Sequence, residues 1–388
     1  MKVSKENIKI ISVVGARPNF MKISPFIGAI NKFNSNSTIK INHILVHTGQ
    51  HYDDRMSKIF FEQLNIPDAD INLGIGSGTH AEQVGNTMIA FEKVLIQENP
   101  DWVVVVGDVN ATLACTVTAK KLNIKVCHIE SGLRSKDESM PEEINRLVTD
   151  RLSDLLLVPD VISINNLKKE GVNNNKIKFV GNIMIDTLDE HLDKAKSLKI
   201  NEIINNNLII GQVFKTKFSP RLFGIITMHR PSNVDSEKVF TSIVEFFLDD
   251  VVSKYTLIWP VHPRTTKQLV KFNLWDKLIR HKRVVLLKPV NYHEMLKLNI
   301  ESQIMFTDSG GLQEECTVLG TPCLTFRWNT ERPMTLYESN GTSILTGNVT
   351  KDIKLNFKKI INLNISSSRP KYWDGKTASR CLDEILNY

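Results

Sequence analysis

The sequence predicts an α/β protein of two doubly wound domains, and three observations carry that expectation. Strand-like apolar runs alternate with helix-like amphipathic runs from end to end, the pattern of parallel strands joined by crossover helices. The runs fall into two sets, each opening with its own short apolar strand. The length of 388 residues suits two or three domains at about 150 residues each. With 41% hydrophobic and 23% charged residues the composition is that of a globular protein, which excludes a disordered, collagen-like or low-complexity chain.

The first set comprises Lys9 to Val14, His43 to His47, Trp102 to Val106 and Lys125 to Ile129, with the amphipathic stretches His80 to Gln97 and Ala111 to Leu122 between them. From Pro141 to Leu155, Ile144, Leu147, Val148, Leu152 and Leu155 recur at helical spacing. Asp154 to Pro159 then reads as the last strand of the first domain. The second set comprises Leu222 to Met228, Thr256 to Val261, Val284 to Leu287, Ile304 to Thr307 and Cys323 to Phe326. The Asn-rich, charged stretch 189–221 reads as helix plus surface connection, so the boundary is expected near residue 182. The domains are then 1–182 and 183–370, and Trp373 to Tyr388 forms a final helix after the Tyr372-Trp373-Asp374-Gly375 turn.

Charge and cysteine usage narrow the function classes. The 49 basic and 42 acidic residues give a net charge of +7, yet the basic residues are spread without a dense cluster or interleaved aromatics. A basic surface that attracts a small anionic substrate fits as well as a nucleic-acid binder and asks for less. No apolar run approaches the roughly 18 residues that a membrane span needs. Met1 to Asn7 leads directly into a strand-like stretch with no apolar signal core, so the expectation is a cytoplasmic protein without membrane or nucleic-acid partners. Cys115, Cys127, Cys316, Cys323 and Cys381 are odd in number and lack Cys-x-x-Cys spacing, so reduced, mostly buried thiols are expected.

Open parallel sheets bind ligands outside the carboxyl ends of their strands, so the residues just after each strand are informative. In the first set these are Gly15-Ala16-Arg17-Pro18 with Lys22 a turn later, then Thr48-Gly49-Gln50-His51, Gly107-Asp108, and Glu130-Ser131-Gly132. In the second they are His229-Arg230, His262-Pro263-Arg264, Asp308-Ser309-Gly310-Gly311 and Arg327. Two sheets with facing carboxyl edges would gather these around one interdomain cleft. Taken alone, Asp108 or Glu130 reads as well structurally, as a helix N-cap or a partner of Arg134, as it does functionally, and Arg17 and Lys22 read more readily as solvated surface. Together with Glu142 and Glu143 on the next helix they put three or four carboxylates in one place, which raises at least one carboxyl into the range a general acid or base needs.

Thr307-Asp308-Ser309-Gly310-Gly311 places a glycine pair between a strand and a helix N-terminus, a site for an anion such as phosphate. Glu315, one turn later, is suited to ribose hydroxyls. The plain alternative is a Ser N-cap before an amphipathic helix. Gly74-Ile75-Gly76-Ser77-Gly78 lacks the Gly-x-Gly-x-x-Gly order, and Ser77 or Thr79 reads as the cap of the next helix. There is no Walker lysine motif, Gly-x-Ser-x-Gly elbow or His-Glu-x-x-His helix, and His128 and His281 read as structural.

These motifs resemble the non-hydrolysing UDP-N-acetylglucosamine 2-epimerases over nearly the whole chain. The resemblance runs from Gly15-Ala16-Arg17-Pro18-Asn19-Phe20-Met21-Lys22 through Thr48-Gly49-Gln50-His51-Tyr52, Val106-Gly107-Asp108 and His128-Ile129-Glu130-Ser131-Gly132-Leu133-Arg134. It continues through Met140-Pro141-Glu142-Glu143-Ile144-Asn145-Arg146, Val180-Gly181-Asn182, His229-Arg230, Pro260-Val261-His262-Pro263-Arg264, Asp308 to Glu315 and Thr330-Glu331-Arg332-Pro333. It implies two facing Rossmann-like domains, the GT-B arrangement, with the active site in the interdomain cleft. A homodimer and a C-terminal helix returning to the first domain are also implied.

By motif position Asp108, Glu130 and Glu142 resemble the family's catalytic carboxylates and His229 its catalytic histidine. The resemblance assigns Arg17 and Lys22 to the departing diphosphate, and Ser309, Gly310, Gly311 and Glu315 to phosphate and ribose. Gln50, His51, His262 and Arg332 complete the substrate-binding set. The implied chemistry eliminates UDP to a 2-acetamidoglucal and adds it back after C2 is protonated from the other face, with no cofactor and no metal. A GT-B glycosyltransferase, a hydrolysing epimerase, an epimerase of a related UDP-sugar such as UDP-2,3-diacetamido-glucuronic acid, and a non-catalytic nucleotide-sugar sensor are the competing readings. Pro231 stands after His229-Arg230 where several bacterial members carry a second arginine that helps bind an activator, so that activator site is not expected here.

Overall fold

A computed structural model describes residues 7–49, 66–212 and 222–388. The chain forms two compact units, Met1–Leu188 with Pro370–Tyr388, and Asp189–Arg369. The division falls six residues beyond the position read from the sequence, inside a helix whose regular apolar spacing carries no mark of it.

The first unit runs β1 (Asn7–Val14), α1 (Arg17–Asn36), β2 (Lys40–His47), β3 (Ile71–Asn72), α2 (His80–Glu98), β4 (Trp102–Val106), α3 (Asn110–Lys121), β5 (Lys125–Ile129), α4 (Pro141–Leu152), β6 (Leu155–Val158), α5 (Val161–Lys169) and β7 (Ile177–Phe179). All pairings are parallel, in the order β3-β2-β1-β4-β5-β6-β7. Order reverses between β1 and β4, the switch point at which doubly wound sheets bind ligands. Strand β4 carries an unbroken run of valines because both its faces are covered: every side chain of Trp102–Val106 is buried. Thr79 caps α2 in a capping box with Glu82. The last strand is β7 rather than β6, because a three-residue Ile-Lys-Phe edge strand leaves too little alternation to read in the sequence.

Helix α4 inverts its pattern. Its buried residues are Glu143, Asn145, Arg146, Thr149 and Asp150, while Ile144 is 43% exposed. The apolar spacing that marks the helix therefore lies on its outer side, and the polar side faces the sheet edge.

A helix α6 (Ile183–Ser197) spans the division between the units, and α7 (Ile200–Asn207) comes after it. The second unit continues through β8 (Phe223–Thr227), the single turn α8 (Pro231–Val234), α9 (Glu237–Phe246), β9 (Thr256–Pro260), α10 (Pro263–Lys271), α11 (Trp275–Ile279), β10 (Val284–Leu287), α12 (Tyr292–Glu301), β11 (Ile304–Thr307), α13 (Gly310–Leu319), β12 (Cys323–Thr325), β13 (Ser343–Leu345) and α14 (Thr350–Ile360). Its sheet, β10-β9-β8-β11-β12-β13, is again wholly parallel and reverses between β8 and β11. Phe240, Phe246, Phe247, Trp259, Phe306 and Phe357 form an aromatic core beside it. Edge-to-face pairs such as Phe247 with Trp259 and Phe306 add about 0.5–1.5 kcal/mol each beyond burial.

The C-terminal segment completes the first unit. Helix α15 (Thr377–Leu386) packs on α1, and the Asp186 carboxylate caps it by accepting from the N–H groups of Thr377 (3.0 Å) and Ala378 (2.7 Å). Trp373 Nε1 donates to the Pro159 carbonyl at 3.2 Å and Arg380 to that of Val180 at 2.6 Å. All five cysteines are buried free thiols. Among the described residues no helix is long and apolar enough to cross a membrane.

Candidate active site

In the first unit the site grows from the switch point. Gly107 follows strand β4, and its φ of +70° turns the chain so that Asp108 comes next at the carboxyl edge. A Cβ at Gly107 would stand 3.1 Å from Lys22 Nζ and 3.4 Å from Glu130 Oε2, so glycine leaves room for that pair. Directly after neighbouring β5 stands Glu130, a non-glycine residue held at φ +70° and almost fully buried. Such a backbone costs of order 1 kcal/mol or more and persists where surrounding contacts over-determine it. Those contacts are the Glu130 N–H donating to Leu157 O at 3.0 Å and the carboxylate in direct contact with the Lys22 ammonium. Lys22, expected at a diphosphate, thus lies against Glu130; Asn19, a turn earlier on α1, donates to Val106 O at 2.8 Å.

Asp108 is held by the buried polar face of α4. Its carboxylate contacts Arg146 Nη2, and its carbonyl accepts from Asn145 Nδ2 at 2.9 Å. Arg146 Nη1 also donates to Glu143 at 2.6 Å, and Glu143 further accepts from the N–H groups of Ser135 (3.0 Å) and Lys136 (2.8 Å). Burial would raise the Glu143 carboxyl, but these hydrogen bonds outweigh it and hold Glu143 below the ordinary range. Glu143 is therefore a fixed anion that orients Arg146. Glu142, in the first turn of α4, is exposed. Asp108 and Glu130 lie just beyond the carboxyl ends of two paired strands, as their sequence positions predict.

Arg17 opens α1. Gln50 and His51 lie outside the described residues.

In the second unit the switch point lies between His229-Arg230 after β8 and Asp308-Ser309 after β11. Asp308 is completely buried and accepts from the N–H groups of His229 (3.0 Å) and Arg230 (2.8 Å) and from Asn233 Nδ2 (3.2 Å). Its Oδ1 lies 3.1 Å from His229 Nδ1, which fixes the ring. Burial would raise the Asp308 carboxyl, but His229 and the two N–H groups hold it below the ordinary range. The His229 ring is 44% exposed and lies 5.4 Å from that of His262, the N-cap of α10.

Ser309 occupies the N-cap position of α13 without a side-chain capping bond, its N–H donating to Thr307 Oγ1 at 3.0 Å. Gly310 and Gly311 form the first turn, which carries no acidic residue. That leaves the N–H groups and helix dipole directed at an incoming anion. A Cβ on Gly310 would stand 2.8 Å from both Arg332 Nη1 and Glu331 Oε1, so glycine lets a buried ion cluster pack directly behind the turn. In that cluster Glu331 joins Arg327 and Arg332, and Arg332 Nε reaches Glu314 at 3.0 Å. Arg332, expected among the substrate-binding residues, thus lies beneath the glycine turn. Glu315 is buried and faced by Tyr292 and Asn299; burial, with Glu314 beside it, pushes its carboxyl up to about 8.

Sequence reasoning missed Arg146, Asn145 and Asp308 as the groups that orient Asp108 and His229. A polar face on α4, with Arg146 three residues after Glu143, was a readable signal for the first two.

The family model described as UDP-N-acetylglucosamine 2-epimerase matches residues 33–386. A UDP-N-acetylglucosamine 2-epimerase of Methanocaldococcus jannaschii is 41% identical over 98% of this chain and 99% of its own length. A UDP-2,3-diacetamido-2,3-dideoxy-D-glucuronate 2-epimerase of Pseudomonas aeruginosa is 36% identical over 97% of this chain and 99% of its own. Among solved structures, the M. jannaschii UDP-GlcNAc 2-epimerase in complex with UDP-GlcNAc and UDP superposes with a TM-score of 0.85 at 39% identity, covering 98% of this chain and all of that one. The Neisseria meningitidis UDP-GlcNAc 2-epimerase bound to UDP-GlcNAc gives 0.84 at 29% identity with the same coverage. Two Rossmann-like sheets with polar switch points, matched end to end by these isomerases, place the chain in the UDP-N-acetylglucosamine 2-epimerase family.

Proposed function

We propose that the protein interconverts UDP-N-acetylglucosamine and UDP-N-acetylmannosamine by elimination and re-addition of UDP. The carrying observation is the pair of carboxylates at neighbouring strand ends in unlike settings, Glu130 buried on Lys22 and Asp108 on Arg146. C2 of an N-acetylhexosamine carries no activating carbonyl, so its proton becomes removable only as the C1–O bond to UDP breaks. A carboxylate takes the C2 proton, the C–H electrons form the C1=C2 bond, and UDP departs with the C1–O electrons. Re-addition of UDP with a proton delivered to the other face of C2 gives the epimer.

Asp108, Glu130 and Glu142 are the acid/base candidates, with Glu143 committed to Arg146. His229, oriented by Asp308, serves at the diphosphate. Ser309, Gly310 and Gly311 hold phosphate and Glu315 ribose, with His262 and Arg332 supporting and Arg17, Lys22, Gln50 and His51 completing the substrate contacts. No nicotinamide or metal takes part. The reading extends to a cytoplasmic homodimer that supplies N-acetylmannosamine-type sugars for surface polysaccharide.

The Pseudomonas relative favours one second reading, epimerisation of UDP-2,3-diacetamido-glucuronic acid, which parallel assays with both substrates separate. Turnover of UDP-GlcNAc in deuterated water, monitored by NMR, should place deuterium at C2 without added NAD. Product lacking solvent hydrogen at C2 would rule out deprotonation there. Asp108→Asn, Glu130→Gln, Glu142→Gln and His229→Asn should each lower kcat by about 100-fold or more while folding persists.

A further inference from the structure

His128 stands outside the set of groups so far given a role. It projects from β5, is fully buried, and has a partner on each ring nitrogen: the Gly107 carbonyl 2.8 Å from Nε2 and Asp150 Oδ1 2.6 Å from Nδ1. A carbonyl on one nitrogen and a carboxylate on the other fix the ring between them. The carboxylate is itself secured behind it. Asp150 also accepts from the Gly132 N–H at 3.0 Å and lies 2.7 Å from Arg134 Nη1, and Arg134 forks onto Glu170 at 2.8 and 2.7 Å. Burial would raise the Asp150 carboxyl, but His128 and Arg134 hold it below the ordinary range.

His128 grips the peptide that shapes the site. Gly107 is held at the other end by its N–H on Ile129 O at 3.2 Å; the room beside its Cα takes the Lys22–Glu130 pair, and Asp108 is the next residue. Asn145, Arg146 and Asp150 all come from the buried face of α4, so that face and β5 clamp Gly107-Asp108 from several sides.

We propose that His128 is a positioning residue, a ring anchored by Asp150 that fixes the Gly107 peptide and through it the placement of Asp108 and Glu130. The inference rests on the epimerase reading of those two carboxylates.

A double-mutant cycle tests it. His128→Gln should lower kcat by about 100-fold, the scale of a misplacement near 1 Å, with UDP affinity unchanged. In that background Asp108→Asn should add little. Val126→Ala, equally buried two residues earlier on β5, is the packing control, and its loss should multiply with that of Asp108→Asn. Losses of His128→Gln and Asp108→Asn that multiply in full would overturn the positioning role. Near-normal activity of Asp108→Asn alone would instead refute the catalytic reading of Asp108. If His128→Gln does not fold, Asp150→Asn, which weakens the anchor of the ring, takes its place in the same cycle: a loss that does not multiply with that of Asp108→Asn supports the proposal, and one that multiplies in full overturns it.

Discussion

At the scale of single residues, the site sorts carboxylates by their surroundings. Glu143 and Asp308 are buried yet held ionised by several donors each, which suits them to orient Arg146 and His229. Glu315 is buried with too few donors, and burial and Glu314 push it up to about 8. Between the ordinary value of 4.5 and about 8 the folded protein keeps a proton on Glu315 that the unfolded chain has released, so this group's contribution to stability falls as pH rises through that window. Calorimetric Tm values at pH 5, 7 and 8.5 should therefore decline more steeply in the native protein than in Glu315→Gln. Parallel profiles would show that Glu315 ionises normally. The same carboxyl, if it receives ribose hydroxyls as an anion, should release a proton when UDP binds at pH 7, and titration in two buffers of different ionisation enthalpy measures it.

At the scale of elements, legibility tracked burial type. The central strands were readable because two-sided burial leaves largely apolar runs such as Trp102–Val106, and the strand-end residues were readable because polar groups after such runs stand out. The edge strands β3, β7 and β13, of two or three residues each, have no periodicity to detect. Helix α4 was found by its apolar spacing although that spacing lies on the outer side, and its working face, Glu143, Asn145, Arg146 and Asp150, has only polar spacing to announce it. Helix α15 depends on a contact that no local pattern reveals, the cap supplied by Asp186 from far along the chain. Asp186→Ala removes both acceptors and should cost about 1–2 kcal/mol, the range of lost caps, with N–H protection in α15 lost first. Hydrogen exchange that leaves Thr377 and Ala378 as protected as before would show that the docked face, with Cys381, Leu382 and Ile385 buried, holds the helix without its cap.

At the scale of the molecule, the two units differ in how the chain closes them. The first is discontinuous in sequence and needs its C-terminal segment; the second is one unbroken stretch, Asp189–Arg369. Its two ends meet in a bidentate pair, Arg369 donating to Asp189 at 2.8 and 2.6 Å. It also has its own sheet, aromatic core and glycine turn at a helix N-terminus. A stretch whose ends coincide and whose core is internal has the properties that independent folding requires. Residues 189–369 produced alone should therefore unfold cooperatively and bind UDP, with a Tm that rises as UDP is added; at 100 times Kd the gain is about 2.7 kcal/mol. This piece should not exchange hydrogen at C2 of UDP-GlcNAc, because Asp108, Glu130 and Glu142 belong to the other unit. A folded piece with no affinity for UDP would remove the nucleotide site from Ser309, Gly310, Gly311 and Glu315, whereas C2 exchange by the piece alone would take the chemistry away from the carboxylates of β4, β5 and α4.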